Sequence, residues 1–126
     1  MTSINTTASL IEYFLGFLGQ IKMYHWSTMC YSTHKALDDL HKLLSDNIDE
    51  IMEVYIGKFN KQPLERFEIN MKANSITDNI IEYLELEREK IRGIRNKYFK
   101  NSTEIQNLFD NILSNISRTI YLCKLK

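Results

Sequence analysis

Apolar residues recur at steps of three and four along most of the chain, and the places where this rhythm fails divide it into four segments. Leu10, Phe14, Leu18, Ile21 and His25 share one face of a first helix, which Thr6 or Thr7 can cap. The segment Ser27 to Thr33 reads as a turn, with Ser32 or Thr33 opening a second helix. That helix carries Leu37, Leu40, Leu44, Ile48, Ile51 and Tyr55 and is expected to run to about Ile56, where Gly57 would stop it. From Lys58 to Asn74 the periodicity fades around Pro63. A third helix is expected from Asn74 or Ser75, with Ser75 and Asp78 as a capping box and Ile80, Leu84, Ile91, Ile94 and Tyr98 down one face. A fourth follows from about Ser102, with Ile105, Leu108, Phe109, Ile112, Ile116 and Ile120. Gly16 and Gly19 fall inside the first helix at a cost of up to about 1 kcal/mol each, acceptable where a neighbouring helix crosses closely.

Short, long and short links imply an all-α four-helix bundle with one long crossover between helices two and three, which then run parallel; this is ferritin-like connectivity. At 126 residues the chain has room for one domain, residues 1–126. Four glycines and one proline are too few to punctuate a β-sandwich or barrel.

Composition narrows the function classes. Sixteen basic and sixteen acidic residues cancel, so no global field draws the chain to nucleic acid or an anionic membrane. No nucleic-acid partner is expected, because Met1 to Ser9 has no charged side chain and the C-terminus offers only Lys124 and Lys126. The most apolar stretch, Leu10 to Met23, is broken by Glu12, Gln20 and Lys22, short of the roughly 18 apolar residues of a membrane span. No membrane partner is expected either. Cys30 and Cys123 make no CxxC pair and follow no apolar leader, so free thiols, no structural disulfide and a cytoplasmic location are expected.

No GxSxG elbow, glycine-rich phosphate loop or Cys/His nucleophile motif occurs. What remains is an ionisable cluster on the first two helices. At about 100° per residue, His34, Asp38, His41, Ser45 and Asp49 form a polar stripe directly beside the apolar one, with Glu53 at its edge. A plain solvated face would lie opposite the core instead. Imidazole with several carboxylates suits iron, with zinc or manganese as alternatives. The sequence holds no Glu-xx-His, which disfavours a di-iron centre inside one bundle. Each residue also has an ordinary reading: a hydrogen-bonded core histidine for His25, surface charges for Asp38, Asp49 and Glu53, and a salt-bridged carboxylate for Glu87.

His25-Trp26, then His34, Asp38, Asp49 and Glu53, followed by Gly57, resembles the ferroxidase signature of the Dps-like miniferritins over roughly Ile21 to Gly57. The same stretch is similar to small uncharacterised helical proteins of phages and large DNA viruses, a likeness that implies no activity. Only eight residues separate His25 from His34, three fewer than the miniferritins usually have. The resemblance implies a ferroxidase that binds and oxidises Fe(II) with His25, His34, Asp38, Asp49 and Glu53 as ligands, and a radical-intercepting role for Trp26. A lone tryptophan is otherwise a core or interface anchor.

His34 and Asp49 lie fifteen residues apart on one helix, about 22 Å along its axis, and cannot hold one ion. Two antiparallel copies of the second helix would bring His34 of one chain level with Asp49 and Glu53 of the other. A homodimer or larger homo-oligomer with two shared sites is therefore expected, its axis near His41 to Ser45. The rival expectation is a non-catalytic helical oligomer, a phage or viral accessory protein located in host cytoplasm or virion, with the same residues as a polar interface.

Overall fold

The computed structural model describes residues 7–61, 66, 68–69 and 79–125. Among these, four helices and no strand occur: α1 Thr7–Ser27, α2 Tyr31–Phe59, α3 Ile80–Tyr98 and α4 Thr103–Lys124. Their apolar stripes close on one core. Leu10, Phe14, Phe17 and Ile21 meet Leu37, Leu40, Leu44, Ile48 and Ile51, together with Leu84, Ile91 and Ile94 and with Ile105, Phe109, Ile112, Ile116 and Ile120. Leu18, Tyr55, Ile80, Tyr98 and Leu108, expected on these stripes, pack only at its margin.

Side-chain pairs fix the helix directions. Thr7 meets Tyr55 while His25 meets His34, so α1 and α2 are antiparallel. Lys58 pairs with Glu104 while Asn115 donates to Asn47, so α2 and α4 are antiparallel. Arg95 pairs with Asp110 and Arg88 donates to Ser117, which sets α3 against α4 in the same way. Consequently α2 and α3 run in the same direction, as the link lengths predict.

Helix ends depart from the sequence reading in informative ways. The turn between α1 and α2 is only Thr28 to Cys30, and Cys30 occupies the N-cap in extended conformation without a side-chain cap bond, so neither Ser32 nor Thr33 caps α2. Gly57 does not stop α2. The helix continues to Phe59 and ends where Asn60 turns left-handed at φ 52°, its N–H reaching the Ile56 carbonyl. Two contacts hold this last turn in place: the Tyr55 ring edge-on to that of Phe99 beyond α3, centroids 5.7 Å apart, and the Lys58–Glu104 ion pair to α4. Such tertiary contacts outweigh the roughly 1 kcal/mol that glycine costs a helix. The Ser75/Asp78 capping box lies outside the described residues; in the described chain Asn79 caps α3, its Oδ1 accepting from the Ile81 and Glu82 amides.

Gly16 sits differently from expectation. The nearest neighbour of a Cβ at Gly16 is the Ile69 side chain at 3.7 Å, from the connection between α2 and α3 and not from a crossing helix. Gly93 is exposed inside α3, and a Cβ there meets nothing within 4 Å. Gly93→Ala should raise stability by about 0.5–1 kcal/mol in urea unfolding, because alanine loses less backbone entropy on helix formation. An unchanged or lowered midpoint would contradict this.

Glu87 lies on the buried face of α3, as its place in the apolar stripe predicts. Its charge is matched. Lys90 Nζ lies 2.9 Å from one carboxylate oxygen, and the Tyr13 hydroxyl of α1 donates to the other at 3.1 Å. Burial first, and then this carboxylate, push the Tyr13 phenol far above its usual range, so it stays a donor.

Candidate metal site at the α1–α2 end

The first residues to consider are the two histidines where α1 passes into α2. His25 is the last inward-facing residue of α1, and His34 lies in the first turn of α2. Their rings stack with centroids 3.8 Å apart and planes 17° from parallel. His25 Nδ1 lies 2.7 Å from the His34 carbonyl oxygen, and His34 Nδ1 lies 2.7 Å from the His25 carbonyl oxygen. A carbonyl only accepts, so each Nδ1 carries the proton and donates. The His25 carbonyl belongs to the last turn of α1, where backbone acceptors lack helical partners, so His34 caps that helix.

This reciprocal staple has a structural role of its own, and it also fixes a tautomer. With Nδ1–H committed to a carbonyl, the neutral ring keeps its lone pair on Nε2, the arrangement by which metal-binding histidines are usually oriented. His25 Nε2 lies 4.0 Å from Asp38 Oδ1, one turn further along α2. The shortened turn does not keep the histidines apart. It brings them into ring contact.

Asp38 already has cationic neighbours, Lys42 Nζ at 3.3 Å and Lys22 Nζ at 3.7 Å. The Lys42 hydrogen bond foremost, with the charges of Lys42 and Lys22, holds its carboxyl below the ordinary range. It is ionised at neutral pH. His41, half-buried on the same stripe, is lowered by burial first and then by the Lys22 charge, which keeps that ring neutral.

Asp49 and Glu53 lie further along the same unbroken α2, exposed and without an ion pair among the described residues. The structure therefore stacks His25 on His34 and sets His25 near Asp38, and it leaves Asp49 and Glu53 further along α2. Among the described residues no group of three or more His, Cys, Asp or Glu is close enough to hold a metal ion within one chain.

Trp26 is 69% exposed, which corrects the core-anchor reading. With Met29 and Tyr31, 85% and 75% exposed, it forms an apolar surface around the α1–α2 turn. Sequence periodicity missed this patch, since the turn breaks the helical rhythm that sorts inward from outward residues. Tyr31 also extends the histidine stack, its ring 6.3 Å from that of His34.

The fold and site together define a small helical bundle with a paired-histidine and carboxylate cluster at one end. A sequence profile described as a family of unknown function (DUF5856) matches residues 25–123, and the chain belongs to that family. No curated protein and no solved structure matches it. Among the described residues, no helix is long and apolar enough to cross a membrane.

Proposed function

We propose that two copies of the chain pair α2 against α2 and bind iron between them in miniferritin-like fashion, oxidising Fe(II) at two shared sites. The observation that supports this most is the pair of Nδ1-to-carbonyl bonds, which leaves the Nε2 of His25 and of His34 as lone-pair donors, that of His25 4.0 Å from an ionised Asp38. One chain would supply these three residues, and its partner would supply Asp49 and Glu53, whose carboxylates are exposed and have no ion pair among the described residues. Two imidazoles with carboxylates suit iron, and zinc or manganese would fit the same donors less selectively.

Iron here is the substrate. Each Fe(II) gives one electron to dioxygen or peroxide, and the protein contributes a fixed, partly open shell that stabilises Fe(III). Lys42 and Lys22 must swing from Asp38 before it can ligate. Solvent screens ion pairs of this kind, so a divalent cation displaces them readily. Trp26, beside this cluster in sequence and exposed, would lie at the dimer contact or intercept radicals there.

Anaerobic Fe(II) titration by calorimetry, followed by admission of air, tests the reading. Saturable binding and ferric absorbance rising faster than in a protein-free control are expected, with Asp38→Asn weakening Fe(II) binding by about tenfold or more. Absence of saturable binding would refute it. The rival, a metal-free oligomer, is favoured by the exposed apolar patch at Trp26, Met29 and Tyr31. It predicts a stable dimer or larger assembly with no response to Fe(II).

A further inference from the structure

Away from the histidine pair, the contact between α1 and α3 holds a buried acid–base cluster at one end of a row of aromatic rings. Tyr13 stacks on Phe17 with centroids 6.3 Å apart, Phe17 lies 6.3 Å from Tyr83, and Tyr83 lies 5.0 Å from Tyr24. The row thus starts at half-buried Tyr24, next to His25 in the chain, and ends at Tyr13, about three helical turns back along α1. At that inner end the Tyr13 hydroxyl donates to Glu87 Oε1 at 3.1 Å, and Lys90 Nζ lies 2.9 Å from Glu87 Oε2. Glu87 is buried.

A buried phenol gives up an electron readily only if its proton leaves at the same time, because the cation otherwise formed is a strong acid in a poorly solvated site. Glu87 supplies the acceptor. Burial first, and then the Glu87 charge, push the phenols of Tyr13 and Tyr83 far above their usual range, so both rings enter the reaction protonated. Lys90 holds the carboxylate in place, and being half-buried its ammonium can turn to water once Glu87 is neutral.

We propose that Tyr13 and Glu87 form a proton-coupled one-electron donor that quenches oxidising radicals, of the organic peroxyl class, arriving at Tyr24. The peroxyl radical takes a hydrogen atom from the Tyr24 phenol: that O–H bond breaks, a new one forms, and the product is a hydroperoxide. Tyr24 regains its electron from Tyr13 through the row of rings and its proton from solvent. Tyr13 becomes a neutral phenoxyl radical as its O–H bond breaks and the proton passes to Glu87 Oε1. One peroxyl radical is reduced, one phenol is oxidised, and the solvent proton consumed equals the one Glu87 keeps. Ascorbate, a one-electron reductant, resets the pair by returning the electron while Glu87 returns the proton. Neither iron nor a second chain takes part.

The test uses the full-length chain, freed of metal, with peroxyl radicals from a water-soluble azo initiator and, separately, photogenerated tris(bipyridine)ruthenium(III) as oxidants. Freeze-quenched samples are read by electron paramagnetic resonance. A phenoxyl signal that outlasts either oxidant is expected, with an exchangeable-proton coupling from the Glu87 O–H that now donates to the phenoxyl oxygen, and ascorbate should erase it. Tyr13→Phe keeps the ring and its packing and should lower the persistent signal about tenfold or more, as should Glu87→Gln with helical circular dichroism unchanged. Tyr24→Phe should lower the yield with peroxyl radicals, whereas Tyr121→Phe, exposed on α4, should leave it intact. Should Glu87→Gln fail to fold, the exchangeable coupling in the wild-type chain decides where the proton goes. The proposal is overturned if no phenoxyl outlasts the oxidant, if the wild-type radical lacks that coupling, or if Tyr13→Phe, Tyr24→Phe or a folded Glu87→Gln keeps the wild-type yield.

Discussion

Asp38→Asn and Asp49→Asn chains, each inactive in Fe(II) oxidation as purified, should regain about a quarter of wild-type activity when unfolded and refolded together. The figure follows from symmetry. Random pairing makes half of the dimers mixed, and in each mixed dimer one of the two sites receives both of its intact carboxylates while the other loses both. The continuous α2, Tyr31–Phe59, makes this a demanding prediction, because the about 22 Å between His34 and Asp49 forbids any such rescue within one chain. Carboxamide variants are the right choice. His34 caps α1 through its Nδ1, so removing that ring would disturb the turn as well as the site, whereas Asp38 makes only solvent-screened ion pairs to Lys22 and Lys42 and Asp49 is exposed with no ion pair among the described residues. Mixed refolding without recovery, or a strictly monomeric chain in solution, would defeat the shared-site arrangement.

Phe109→Ala should cost about 3–5 kcal/mol, a large share of the roughly 5–15 kcal/mol available to a domain of this kind. Phe109 is completely buried in α4. Its ring centroid lies 5.9 Å from that of Phe14 in α1 and 5.4 Å from that of Phe99 just beyond α3, so one side chain ties three parts of the chain together. Truncation removes the transfer free energy of the ring and leaves a cavity lined by rigid helices that can close only in part. Urea unfolding followed by helical circular dichroism is the measurement. A loss below about 1 kcal/mol would mean that the core relaxes around the gap or that Phe109 is not its centre.

Much of the helix content was legible in the chain because burial follows periodicity. Leu37, Leu40, Leu44, Ile48 and Ile51 repeat at helical steps, and all five are buried. Boundaries were less legible. Gly57 is a reasonable stop by local propensity, yet α2 passes through it because Tyr55 and Lys58 are held by contacts to Phe99 and Glu104 that propensity does not register. Neither Ser32 nor Thr33 caps α2, since the histidine staple already fixes where α1 turns into it.

The same division runs through the candidate site. The sequence by itself determined that His34, Asp38, Asp49 and Glu53 share one helix and that no single ion could reach from His34 to Asp49, because helical rise is a property of the backbone alone. It also placed His25 inward and put Glu87 where a carboxylate needs a partner. Only the tertiary structure decided who the partners are: Lys90 and Tyr13 for Glu87, two lysines for Asp38, and each histidine for the other's backbone. Those pairings join residues on different helices or set the final rotamers of long side chains. Periodicity specifies a residue's face but not what packs against it.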